Sequence, residues 1–235
     1  MKRVLAIITA VAITAAATAA FALSIVGTKH DLSTGTGGNI NSGGGSDQIC
    51  IYCHTPHNAT QAIPLWNRSN PVTKAFKFYS SPTMTLKHAT SDKFESTSIS
   101  LFCMSCHDGG AIGGRVKSNG GVALTGASTG AGKPAITLDV ITGAGNLGID
   151  LSDDHPVNLE LVLGGANAIR ALDSTNKIGV SGGGGLNKSL PLFKSDNGNN
   201  YIECATCHAV HDNIGGKFLR TTNTGSKLCL ACHIK

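Results

Sequence analysis

The feature that most constrains this chain is a five-residue pattern that occurs four times: Cys50-Ile51-Tyr52-Cys53-His54, Cys103-Met104-Ser105-Cys106-His107, Cys204-Ala205-Thr206-Cys207-His208 and Cys229-Leu230-Ala231-Cys232-His233. All 8 cysteines of the 235-residue chain lie inside these copies, and none is left over. On one helical turn, residues i and i+3 share a face, so the two thiols of a copy point the same way. The His follows one position further on. This is the arrangement that attaches a haem through its two vinyl groups and ligates its iron from below, so the spacing predicts four covalent haem c groups. Their proximal ligands are His54, His107, His208 and His233, and their attachment points are Cys50, Cys53, Cys103, Cys106, Cys204, Cys207, Cys229 and Cys232. A zinc ribbon could use two C-x-x-C pairs but has no need of a His after each one. A thioredoxin-like redox pair expects a βαβ context, which this Gly-rich chain lacks.

Composition points the same way. With 30 Gly against only 7 Phe, 3 Tyr and 1 Trp, the chain has little side-chain volume with which to fill a core. Haems are expected to supply most of the buried apolar surface. The 19 basic and 14 acidic residues form no basic stripe, which sets nucleic-acid binding aside. Lys2 and Arg3 precede an uncharged run, and Ala20-Phe21-Ala22 has the small-x-small form of a cleavage site, so residues 1–22 read as a signal peptide. The alternative is an uncleaved anchor over residues 4–26. Cleavage would leave a tetrahaem domain over 23–235, with half one at about 23–149 and half two at about 150–235. Each half holds two copies of the pattern and two further His.

The axial ligands can be counted. Of the 9 His, four are proximal, leaving His30, His57, His88, His155 and His211. Met84 is the one candidate for a Met ligand, so bis-His ligation at low potential is expected. His57 and His211 each stand three residues after a proximal His. A side chain on the same turn cannot reach round to the far face of its own haem, so each must serve another iron. The haems of the Cys103 and Cys229 motifs, next downstream, are the expected recipients. His30 precedes a Gly- and Thr-rich stretch and is expected to reach a haem of a neighbouring subunit, with His155 in reserve. His88, in a polar stretch, reads as a surface residue.

Elsewhere the chain is connection: 19 Gly fall within residues 109–185. The runs 136–141 and 157–163 could form short strands. Helix should be confined to the motifs, with Ser46 or Asp47, Ser100 and Ser226 placed to cap three of them. The fold class is therefore a mostly irregular, loop-rich multihaem cytochrome c with short helices and little strand, in two pseudo-repeat halves around a chain of four haems. Trp66 packs on a porphyrin edge or in the small core.

The segments KHDLS (29–33), CIYCHTPHNA (50–59), PLWNR (64–68), LFCMSCHDG (101–109), DLSDDHPVN (150–158), CATCHAVHD (204–212), FLR (218–220) and LCLACHIK (228–235) resemble the doubled-CxxCH multihaem cytochromes c. Within that group they are similar to the extracellular tetrahaem cytochromes of the OmcE type, which polymerise into conductive filaments. The resemblance spans nearly all of 23–235 except the Gly-rich stretches. It implies His30, His57, His155 and His211 as distal ligands and identical subunits joined head to tail. It also implies upstream outer-membrane or periplasmic cytochromes as donors and extracellular acceptors such as minerals, electrodes or other cells. Two departures are Ala209-Val210, where many relatives have Asp-Pro, and the additional His88.

Six-coordinate bis-His iron has no open position for a substrate, so the expected function is electron transfer and not catalysis. Spare His outnumber the irons by one, which argues against a reductase. Export would place the chain outside the cell or on its surface as a polymerising conduit, or in the periplasm as a soluble shuttle.

Overall fold

The structure is a computed structural model that describes residues 25–32, 49–56, 59, 64–110, 140–161, 169–170, 177–179, 189–195, 197–213 and 215–234. The expected signal peptide at 1–22, the possible caps Ser46 and Asp47, and His57 lie outside these residues.

The secondary structure is sparse, as a Gly-rich chain with few long side chains requires. Three short α-helices carry motifs: α1 (Ser100–His107), α2 (Cys204–Cys207) and α3 (Lys227–Cys232). The first motif starts in a 3-10 turn, Ile49–Tyr52. Among the described residues, seven strands of two or three residues make three small sheets. β1 (Lys77–Phe78) runs parallel to β2 (Asp150–Leu151). β7 (Asn200–Ile202) lies between β3 (Leu159–Glu160) and β6 (Phe193–Lys194), antiparallel to both. β4 (Lys177–Gly179) pairs antiparallel with β5 (Ser189–Pro191). The strand expected within 157–163 is present as β3. Of the run 136–141, only Val140 and Ile141 are described, and they form no strand.

The core is divided into pockets of apolar side chains between motifs. Helix α1 shows why. Leu101 and Met104, three apart on one face, are fully buried against Phe76, Phe78, Phe94 and Leu151. Cys103 and Cys106 sit on the other side and stay partly accessible. One helix thus seals a core with one face and offers two thiols with the other. A further cluster gathers Leu159, Leu161, Ile178, Leu190, Ile202 and Ala231, with Met84 and Leu86 packed against it. Met84 therefore packs as a core side chain.

Contacts cross the expected boundary between the halves. β1 pairs with β2, and Leu86 packs beside Leu159. The buried carboxylate of Glu203, ahead of the third motif, accepts from the hydroxyls of Ser98 (2.8 Å) and Ser100 at the start of α1. Ser100, expected to cap α1, is instead its first residue and gives its hydroxyl to Glu203. Ser226 stands at the cap of α3 in a left-handed conformation (φ 59°) without a side-chain cap bond. The capping box is at α2, between Glu203 and Thr206.

Candidate haem-binding site

Each motif closes one helical turn. In the first, third and fourth, the His N–H donates to the carbonyl of the first Cys: His54 to Cys50 (2.8 Å), His208 to Cys204 (3.1 Å) and His233 to Cys229 (2.9 Å). A single residue from another segment then clips the turn twice. Asn67 donates its backbone N–H to the Cys53 carbonyl (2.9 Å) and its side-chain amide to the Ile51 carbonyl. Arg220 donates its backbone N–H to Cys207 (2.9 Å) and its Nε to Ala205 (2.8 Å). Arg170 does the same for Cys232 (2.8 Å) and Leu230 (3.0 Å). These bonds satisfy carbonyls that so short a helix cannot satisfy itself. Nothing in the spacing of PLWNR or FLR foretells this role for their polar residues.

The second motif is held differently. The turn Gly143–Gly145 docks on His107, whose carbonyl accepts from Leu147 (3.0 Å) and Gly148 (3.1 Å). A Cβ on Gly109 would meet Gly148 Cα at 3.3 Å, so this close approach needs Gly. The Gly-rich stretch, read as connection, thus contributes to the site.

The imidazoles are oriented by backbone carbonyls. His54 Nδ1 donates to Pro64 (2.7 Å), His107 Nδ1 to Gly145 (2.6 Å) and His208 Nδ1 to Lys217 (3.0 Å). A carbonyl only accepts, so the proton is on Nδ1 and the lone pair is on Nε2, the form that binds a metal. His155 Nδ1 likewise faces the Pro156 carbonyl (3.1 Å), and His30 bonds to the Val210 carbonyl. His88 differs. Its Nδ1 faces the Val157 carbonyl (3.1 Å) and its Nε2 the Tyr79 carbonyl (2.8 Å), leaving neither nitrogen for a metal. It is also half-buried and stacked on Phe78 at 4.9 Å, a clasp between two segments and not the expected surface residue.

Two pairs of rings face each other. His30 and His107 have centroids 6.2 Å apart, and His54 and His211 6.0 Å apart. Two imidazoles bonded through Nε2 to opposite sides of one metal, at about 2 Å each, hold their centroids about 6 Å apart. Both separations are of the size that two ligands of one iron require. His155 lies near enough to His233 for their charges to interact. Burial, and then the neighbouring His107, His208 and His211, bring His30 down to about 4, so its imidazole is neutral at pH 7. Two of these ring contacts lie elsewhere than the ligation expected from spacing. His211 meets the first motif and not the fourth, because its chain segment folds back onto His54. His30 meets His107 of its own chain, anchored by a 4.2 Å stack on Phe218.

The thiols follow chain order. The Cys53 thiol is pushed up to about 12 by burial and then by Cys106 beside it. Cys103 donates to Cys204 and is held well above the usual thiol range. Burial, then Cys232, pushes Cys207 up to about 12. Motif one thus adjoins two, two adjoins three and three adjoins four, while His211 also brings motif three beside motif one. None of the eight cysteines is in a disulfide, and Cys50 and Cys229, in the outer motifs, are exposed. Among the described residues no three His, Cys, Asp or Glu side chains converge on one ion position.

Residues 198–235, which hold the third and fourth motifs, match the doubled CXXCH motif family. That match supports a multihaem c-type cytochrome. The CXXCH motifs indicate covalently bound haem c, and the match suggests electron transfer. No curated protein matches the chain.

Proposed function

We propose that this chain is an exported tetrahaem cytochrome that transfers electrons through four bis-His haems, each ligated within one protomer. The observation that carries this reading is the pair of facing imidazoles at 6.0 and 6.2 Å, each with one motif His and one spare His. His54 pairs with His211, His107 with His30 and His233 with His155. His208 is left with His57, the one spare ligand outside the described residues. When bound, each haem supplies a one-electron ferric/ferrous couple. The protein's part is to fix both ligands, so that ligation need not change with oxidation state, and to keep substrates from the metal.

The exposure of Cys50 and Cys229 supports entry and exit of electrons at the first and fourth motifs. An extracellular location and head-to-tail assembly of identical subunits are part of this proposal, suggested by the resemblance of the motif set. With all four spare ligands used within one protomer, assembly would rest on contact between outer motifs and not on a shared His. A soluble periplasmic shuttle would use the same ligands. Electron microscopy of secreted material separates the two: filaments support the conduit, and single particles support the shuttle.

The ligand assignment has its own test. Mass spectrometry with haemochrome quantification should give four haems per chain, and electron paramagnetic resonance should show low-spin ferric signals only. His211→Ala should turn one haem high-spin, and His30→Ala a different one, each in the isolated protomer. Unchanged spectra in either variant would refute the corresponding pair.

A further inference from the structure

Trp66 is the chain's single Trp, and its indole is 9 % exposed, with Nε1 buried and without a hydrogen-bond partner among the described residues. A buried donor left unpaired is costly, and native structures seldom keep one. The position of this donor is set by the fold. Thr55 donates to the Leu65 carbonyl and Asn67 to the Cys53 carbonyl, which places Trp66 directly opposite His54 in an antiparallel bridge. Opposed residues in such a pair project from the same face. The indole accordingly meets the His54 ring edge-on, with centroids 5.8 Å apart, and its other neighbour is Phe102 at 4.8 Å, next to Cys103. The N–H is thus enclosed between the imidazole of the first motif and the helix of the second.

We propose that Trp66 Nε1 is the binding site for a haem propionate of the first motif. The inference rests on the haem reading above. An acceptor that arrives with whatever His54 ligates would supply the missing partner, and a propionate is the only strong acceptor a haem carries. A neutral N–H donating to a carboxylate is a charge-assisted bond. It would stabilise the anionic carboxylate without adding a formal charge. Removing it leaves the propionate charge less compensated, which disfavours reduction of the adjacent iron. Trp66 would then be a positioning residue that raises the potential of the first haem above what bis-His ligation alone sets.

Because Trp66 is the single Trp, its ultraviolet resonance Raman signature belongs to it alone. In the native holoprotein the indole band should be that of a hydrogen-bonded N–H. In Trp66→Phe, with covalent haem stoichiometry and low-spin spectra first verified, visible resonance Raman should show a shifted propionate bending mode, and one haem potential should fall while the others stay. A free indole N–H in the native protein would overturn the proposal. So would a hydrogen-bonded indole whose replacement leaves every propionate mode and every potential unchanged, since the acceptor would then be water or backbone. If haem quantification finds no haem on the first motif, the haem reading fails first, and the two failures are told apart.

Discussion

The turns carrying Cys50 and Cys204 are clipped by the same backbone geometry but by different chemistry. In each, the chain reverses through a left-handed residue, Leu65 (φ 61°) or Phe218 (φ 57°), whose carbonyl accepts from Thr55 (2.8 Å) or Ala209 (2.7 Å). His54 lies opposite Trp66, and His208 opposite Leu219. This register makes Asn67 the counterpart of Arg220, and both bond the same two carbonyls of their turn. A short amide and a long guanidinium can do one task because the backbone presents both acceptors at one place. The regions differ in how they reach α1. From the first, Arg68 crosses to Ser105, with Nε to its hydroxyl at 3.2 Å and Nη2 to its carbonyl at 3.3 Å. From the third, Glu203 reaches Ser98 and Ser100. The clip is therefore local and interchangeable, whereas the cross-links are specific to each region.

The strongest way to break this comparison is to remove the arginines. Arg68 is fully buried, so Arg68→Ala should cost about 3 kcal/mol through lost bonds and a cavity, read as a lower denaturant midpoint of the holoprotein. Arg220→Ala, which deletes one half-buried bond within its own turn, should cost only about 1 kcal/mol. Equal losses would mean that the two residues play the same part after all.

Glu203 sharpens the contrast through pH. Burial raises its carboxyl above the usual carboxylate range, against the opposing bonds from Ser100 and Ser98. The folded state then holds this proton more tightly than the unfolded one. Its stabilising contribution is complete below the unfolded value and is lost as pH rises through the raised folded value. Glu203→Gln should flatten that part of the stability profile, and Glu203→Ala should cost about 2 kcal/mol by removing cap and cross-link together. A variant with the parent's pH slope would remove Glu203 as the titrating group.

The smallest effect concerns the two left-handed residues. Leu65 is 44 % exposed and its side chain contributes little packing, so Leu65→Gly should relieve backbone strain and stabilise by about 0.5 kcal/mol. The counterpart Phe218→Gly gains the same relief but loses a buried ring stacked on His30, so its net effect should have the opposite sign. Thermal melts of the two variants give both signs in one experiment.

The chemistry of the site was legible in the sequence because it is local. C-x-x-C-H brings two thiols and an imidazole together within one helical turn, so all eight cysteines and the four motif His could be named without a fold. The sparse secondary structure was legible too, from the many Gly and few bulky side chains. Which spare His opposes which motif His was not, because that depends on contacts between residues far apart in the chain. His211 on His54 and His30 on His107 are such contacts, set by how four short turns stack and by the stack of His30 on Phe218.

Spacing alone points His57 and His211 downstream, since it carries no information about a segment that folds back. The same limit hid the clips. By composition, the Arg of PLWNR and the Arg of FLR look like one position. The hydrogen-bond register instead matches Arg220 with Asn67 and frees Arg68 to reach Ser105. It also hid the turn at Gly145, whose carbonyl orients His107 from 38 residues away in the chain. A motif within one turn is written in the order of its residues. Its ligand partner and the carbonyl that aims its imidazole are decided only when distant backbone is brought within bonding distance.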